Sequence, residues 1–191
     1  MIRAFIAITI DDQIIRKISA AVAELRRALP EVRWVAPENI HLTLKFLGDI
    51  EADQVDVIAN AMEPALKVFP RFTISAKGLG VFPALRRPRV LWVGIEGSHL
   101  VKLAAKVESA LEPIGFLREA RSFQPHLTIG RWRRFDGPAK NLLEELERWK
   151  THDYGASQVE KVTLFQSVLQ ADGALHQPLR VIAIAQEERR P

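Results

Sequence analysis

Cysteine is absent from the 191 residues. That absence excludes disulfides, thiolate zinc centres and a cysteine nucleophile together, and it fits a reducing compartment. Long apolar runs are missing too. The stretch from Ala4 to Ile10 follows Arg3 and runs into Asp11 and Asp12. It is too short to span a bilayer and lacks the small-residue cleavage site of a secretory signal. A cytoplasmic protein that makes no use of a membrane is expected. A glycine-rich phosphate loop is also lacking, because no helix-start pattern follows Gly78-Leu79-Gly80, so no nucleotide cofactor is expected. Excess charge of one sign is small, at 27 Lys+Arg against 23 Asp+Glu for a net +4. With 48% apolar and 26% charged residues, the composition is that of an ordinary globular protein and not of a disordered or low-complexity chain. A prior of about 150 residues per domain leaves one domain, or one domain of two related lobes.

What is present falls into two similar halves. Arg3 to Thr9 reads as a buried strand, and Asp11 or Asp12 as a helix cap. Ile14, Ile18, Val22, Leu25 and Leu29 make a helical stripe that Pro30 closes. A strand over His41 to Leu47 follows, then a second amphipathic helix through Val55, Ile58, Met62 and Leu66, which Pro64 should kink or shorten. Phe72 to Phe82 is strand material. The order then recurs: a strand from Val90 to Ile95, a cap at Ser98, a helical stripe from Leu100 to Leu111 and a strand through His126 to Ile129. A helix opened by Pro138 carries Leu142, Leu143, Leu146 and Trp149. Strands around Val159 to Leu169 and Val181 to Ala185, with a turn at Asp172-Gly173 between them, lead to a polar, frayed tail.

The spacing repeats along with the order. His126 follows His41 by 85 positions, and Val93 follows Ile8 by the same 85. No Gly/Ser-rich linker separates the halves, roughly 1–85 and 86–191, so one cooperative body is expected. The expected class is α+β, an internal duplication with mainly antiparallel strands and a pseudo-twofold axis.

The chemistry lies in His41-Leu42-Thr43-Leu44 and His126-Leu127-Thr128-Ile129. Strand side chains alternate faces, so His and Thr share one face while Leu42, Leu44, Leu127 and Ile129 anchor the other. Packed about a twofold axis, the two strands would line a cleft with two imidazoles and two hydroxyls. Imidazole titrates near neutrality, so one His can act as base while the other acts as acid. Placed on opposite sides of a phosphorus atom, they could activate water and protonate the departing oxygen, while Thr43 and Thr128 donate to the non-bridging oxygens. This set needs no metal. Arg131 could clamp the phosphate through paired hydrogen bonds. It stands at i+5 from His126, however, and faces the same way only if the strand bulges near Gly130. Lys45, at i+4 from His41, has the parity of the cleft face. His99, His152 and His176 read as ordinary histidines, His176 alone having some chance of reaching the cleft. Arginine clusters at Arg86-Arg87-Pro88-Arg89, at Arg118 with Arg121, and at Arg131 to Arg134 favour a polyanionic partner if they border the site.

These tetrapeptides, with Arg3-Ala-Phe-Ile-Ala-Ile, the run from Trp34 to Gly48, Pro88 to Trp92, Pro125 to Arg131, and Leu164 to Leu169, resemble the 2H phosphoesterase superfamily. Within it they are most similar to the RNA 2′,3′-cyclic phosphodiesterase (2′-5′ RNA ligase) family. The resemblance implies a bilobal fold in which two antiparallel sheets line a central cleft, with helices outside. It implies metal-independent hydrolysis of an RNA terminal 2′,3′-cyclic phosphate to a 2′-phosphomonoester. The two halves being equivalent, the residues alone leave the acid and base roles open. The resemblance makes His41 the proton donor to the leaving oxygen and His126 the acceptor from water, with Thr43, Thr128 and Arg131 binding phosphate. It departs at His176, where relatives often carry Tyr. The partners it implies are RNA ends or small cyclic nucleotides, met by a monomer. A non-catalytic binder of phosphorylated RNA ends is the alternative, as is ligation by the reverse reaction.

Overall fold

The computed structural model describes residues 1–134, 140–170 and 173–185. The helix start at Pro138, the turn at Asp172 and the polar tail beyond Ala185 lie outside them. In chain order the elements are β1 (Ile2–Thr9), α1 (Asp12–Ala28), β2 (Arg33–Trp34), β3 (His41–Ile50), α2 (Gln54–Lys67), β4 (Phe72–Phe82) and β5 (Val90–Glu96). They continue with α3 (Leu100–Leu111), β6 (His126–Arg131), α4 (Lys140–Trp149), β7 (Asp153–Val159), β8 (Lys161–Gln170) and β9 (Gly173–Ala183). None of the described helices is long and apolar enough to cross a membrane.

Local sequence accounts for most boundaries. Asp11 caps α1 by accepting from the Gln13 amide at 2.7 Å, and Ile14, Ile18, Val22 and Leu25 are buried along one side. Ser98 does not cap α3. Its hydroxyl is engaged with the His99 ring at 2.8 Å, and His99 takes the cap position without a side-chain hydrogen bond to the helix amides. Pro64 does not end α2, which runs on to Lys67. It sits on the exposed side of the last turn, where the carbonyl it orphans remains open to water. Pro178 lies within β9, an edge strand, where a missing amide costs the sheet least.

The sheet follows the order β7-β4-β5-β6-β3-β1-β8-β9, with β2 added beside β6. Every pairing within it is antiparallel. The two expected sheets are therefore halves of one curled sheet, and the join is slender. β3 and β6 meet at a single residue pair, Leu42 with Leu127. Those two leucines are themselves equivalent under the 85-residue repeat, so the pseudo-twofold axis passes between them.

Each half of the sheet mixes both halves of the sequence. β4, from the first, pairs with β5 and β7, whereas β8, from the second, pairs with β1. Across the axis, β3 thus corresponds to β6, β1 to β5 and β8 to β4. Side-chain alternation then sorts the core. Ile6 and Ile8 of β1 join the main core with the helix stripes, while Phe5 and Ala7 turn the other way and cluster with Phe165. The helices accordingly cover one face, and the other lines the cleft.

Candidate active site

The cleft measures about 850 Å³, and its lining includes His41, Thr43, His126, Thr128 and Arg131. All five residues expected to form a site are therefore brought together. Two local features, each present twice, produce this arrangement.

The first is a hydrogen bond two residues back along the chain. His41 Nδ1 lies 2.7 Å from the Asn39 carbonyl, and His126 Nδ1 lies 2.7 Å from the Gln124 carbonyl. A carbonyl only accepts, so each ring carries its proton on Nδ1 and keeps the Nε2 lone pair free. The partners, Asn39 and Gln124, are again 85 apart.

The second is a bulge after each His-Leu-Thr. Between β1 and β3 the register passes from Ala7 with Thr43 to Ile6 with Lys45, which leaves Leu44 as the extra residue. Between β5 and β6 it passes from Trp92 with Thr128 to Leu91 with Gly130, leaving Ile129 extra. An extra residue reverses the alternation beyond it. Arg131 is thereby turned to the face of His126 and Thr128. Gly130 fits the bulge because a Cβ there would stand 2.4 Å from Val32 Cγ1. The same reversal removes Lys45 from the cleft, against the parity expected of an unbulged strand. Its ammonium is buried on the helix side, 3.1 Å from Glu108 Oε1 and 2.6 Å from the Leu117 carbonyl. The position it vacates on the cleft face is taken by Phe46.

Aromatic rings back both imidazoles. His41 stacks on Phe5 at 4.7 Å between centroids, and Phe82 meets His126 edge-on at 5.0 Å. His176 of β9 also reaches the cleft, its ring 4.8 Å from His41 and its Nδ1 buried without a hydrogen-bond partner. His99 and His152 are elsewhere, packed against Phe69 and Phe72 and against Trp149 and Tyr154 respectively.

Burial shapes the electrostatics. Loss of hydration pulls the His41 pKa down to about 4, against a rise from the Asn39 carbonyl, and the nearby His176, Arg131 and His126 lower it further. Burial also lowers His126, again opposed by its backbone carbonyl and helped by Arg131. Both rings feel the Arg131 charge, so the guanidinium stands within electrostatic range of each. The cleft sets two imidazoles whose neutral form burial favours beside the Arg131 guanidinium. It is suited to receive an anion.

Sequence reasoning missed Phe5, Phe46 and Asn39, whose amide donates to the Ala174 carbonyl at 2.6 Å and ties the turn before β3 to β9. Phe5 carried a readable signal, since β1 alternation sets it opposite Ile6. Phe46 carried none without the bulge.

Known proteins resemble this chain in both sequence and fold. The family model LigT like Phosphoesterase matches twice, at residues 8–92 and 93–176. An Aquifex aeolicus protein named RNA 2′,3′-cyclic phosphodiesterase is 42% identical over 75% of this chain and 77% of its own length. An Archaeoglobus fulgidus protein of the same name is 33% identical over 94% of this chain and 98% of its own. The crystal structure of E. coli LigT complexed with 3′-AMP superposes with a TM-score of 0.77, covering 97% of this chain and 99% of that one at 26% identity. With its duplicated sequence, its joined half-sheets and its twinned histidines, the chain belongs to the LigT-like phosphoesterase family.

Proposed function

We propose that the chain is an RNA 2′,3′-cyclic phosphodiesterase, acting as one domain across residues 1–191 and hydrolysing a terminal cyclic phosphate to a 2′-phosphomonoester. The observation that carries the reading is the pair of Nδ1–H donations to backbone carbonyls, which leave two free Nε2 atoms bordering one cleft. The names borne by the Aquifex and Archaeoglobus relatives support it, as does the nucleotide complex of E. coli LigT.

His126 Nε2 takes a proton from water as the water oxygen bonds to phosphorus. The P–O3′ bond breaks, and protonated His41 passes its Nε2 proton to O3′. The two rings end with their protonation states exchanged, and solvent restores them. A bound phosphodiester carries negative charge, which favours the imidazolium and offsets the burial that holds His41 neutral. Thr43 and Thr128 donate to non-bridging oxygens where charge accumulates, and Arg131 grips the same oxygens through parallel N–H groups. One chain supplies every group, in keeping with a monomer, and an RNA substrate is in keeping with a cytoplasmic enzyme.

The test is a short RNA ending in a 2′,3′-cyclic phosphate. The wild-type protein should yield only the 2′-phosphomonoester, at a rate EDTA leaves unchanged. Each of His41→Ala and His126→Ala should lower turnover by about 10²- to 10⁴-fold with the circular dichroism spectrum preserved. Tight binding without hydrolysis would point instead to a binder of RNA ends. Loss of activity in chelator, restored by a divalent ion, would overturn the metal-independent mechanism.

A further inference from the structure

A third imidazole stands in the cleft beside the twinned pair. β9 lies three strands from β3 in the sheet, but the curl brings its first residues back over the cleft, where Ala174, Leu175 and His176 join the lining. One residue pins that return. Asn39 donates its side-chain amide to the Ala174 carbonyl at 2.6 Å, and its own carbonyl accepts from His41 Nδ1 at 2.7 Å. His41 and His176 are therefore fixed from the same turn, with ring centroids 4.8 Å apart and planes at 78°. Phe5 touches both, stacked on His41 at 4.7 Å and edge-on to His176 at 4.9 Å. The duplication does not account for this ring. β7, which corresponds to β9 across the axis, pairs with β4 only from Phe72 to Lys77, short of the place opposite His126 that would match His176.

The two nitrogens of His176 meet different surroundings. Nδ1 is buried without a hydrogen-bond partner, whereas Nε2 is not closed off and lies on the half-buried side of the ring that lines the cleft. Proteins strand a buried N–H more rarely than a buried acceptor, which puts the proton on Nε2 and the lone pair on Nδ1. Burial lowers the His176 pKa and so favours this neutral ring. His41 and His126 are arranged the other way round, with Nδ1–H spent on a carbonyl and Nε2 free to exchange a proton. Beside a ring that moves a proton, the cleft therefore holds one that only donates a hydrogen bond.

We propose that His176 is a further substrate-contacting residue, donating Nε2–H to a non-bridging oxygen of the phosphoryl group that His41 addresses. The proposal rests on the hydrolase reading. Rings whose centres are 4.8 Å apart are close enough to contact oxygens of a single phosphoryl group. Negative charge gathers on those oxygens as water adds, so a donor already held in place by the Asn39 tie strengthens its bond as the reaction proceeds and spends nothing on reorientation. No proton changes hands at His176. Its part is to hold charge on one oxygen while the paired histidines carry out the transfer.

The test uses adenosine 2′,3′-cyclic phosphate and the two diastereomers of its phosphorothioate, in which sulfur, a weak acceptor, replaces one or the other non-bridging oxygen. His176→Phe keeps a ring against His41 and Phe5 and removes the donor. It should lower kcat/KM on the all-oxygen substrate by about 10- to 150-fold, the worth of a hydrogen bond to a charged oxygen. The diastereomer that turns sulfur toward His176 should lose little, because its bond is already weak, and the other should lose the full factor. His176→Gln, whose amide donates from near the place of Nε2, should keep the discrimination between diastereomers. Equal losses on both diastereomers, no loss on the all-oxygen substrate, or a His176→Gln as indiscriminate as His176→Phe would overturn the proposal. Equilibrium binding of 2′-AMP separates the contact from the hydrolase reading. In a protein that hydrolyses nothing, weaker 2′-AMP binding by His176→Phe would sink the hydrolase reading and leave the contact standing, whereas unchanged binding would remove the contact as well.

Discussion

At the scale of single residues, the two histidines proposed as acid and base have pKa values displaced in the same direction. Burial lowers both, His41 to about 4. Productive encounter needs one ring protonated and the other neutral, so the pH dependence of kcat/KM, which reports the free enzyme, should peak on the acid side of the ordinary imidazole value of 6.5. Activity should fall as pH rises, because the acid loses its proton. The kcat profile, which reports the complex, should lie at higher pH, because bound phosphate favours the protonated ring. Steady-state rates from pH 4 to 9 check this, and two coincident profiles centred above 6.5 would contradict it. The apparent values belong to the interacting pair and not to either ring alone. His41, Thr43, His126 and Thr128 were legible in sequence because strand alternation and a repeated spacing are properties of the chain itself. His176 was undervalued because its approach to His41 comes from β9, three strands beyond β3, and no local pattern records that.

Elements show where alternation stops being a guide. A bulge displaces one residue and reverses everything after it, so Lys45 and Phe46 exchanged the faces that simple counting assigns them. Arg131 was redirected by the same device, one that Gly130 signalled and Leu44 did not. The amphipathic stripes of α1, α2 and α3 were readable nearly residue for residue, because burial of a helix face imposes its own period. β7 was missed and β9 drawn too short, because both are sheet edges whose polar residues dilute the pattern. The misplaced lysine has an energetic role instead. Its buried ammonium holds Glu108 of α3 and the Leu117 carbonyl against the back of β3. Lys45→Met should cost about 1–3 kcal/mol in urea unfolding, because the Leu117 carbonyl loses its donor and Glu108 is left with the Glu119 amide, and the double change Lys45→Met with Glu108→Leu should recover part of it. An unchanged urea midpoint for the single variant would remove Lys45 from the stabilising set.

For the whole molecule, the duplication was legible but its assembly was not. Two similar halves suggest two separate lobes, and the chain instead gives β4 to one side of the sheet and β8 to the other. Strand pairing across such distances depends on which edges remain open after the local hairpins form, which no window of sequence encodes. A cut between Leu85 and Arg86, both exposed, should therefore yield fragments that fail to fold separately and regain structure and cyclic-phosphate hydrolysis when mixed. Fragments that each give a cooperative melt on their own would refute the crossing as a folding constraint.

That crossing reaches back beyond the present chain. A half-length protein of this design could satisfy its open sheet edge only by trading a strand with a second copy, and its lone histidine would then meet its twin at the seam between two subunits. Carried on one chain, that seam is the cleft, and each side of it can change independently: Phe46 and Arg131, 85 positions apart and each just beyond its bulge, are a divergence an obligate homodimer could never acquire.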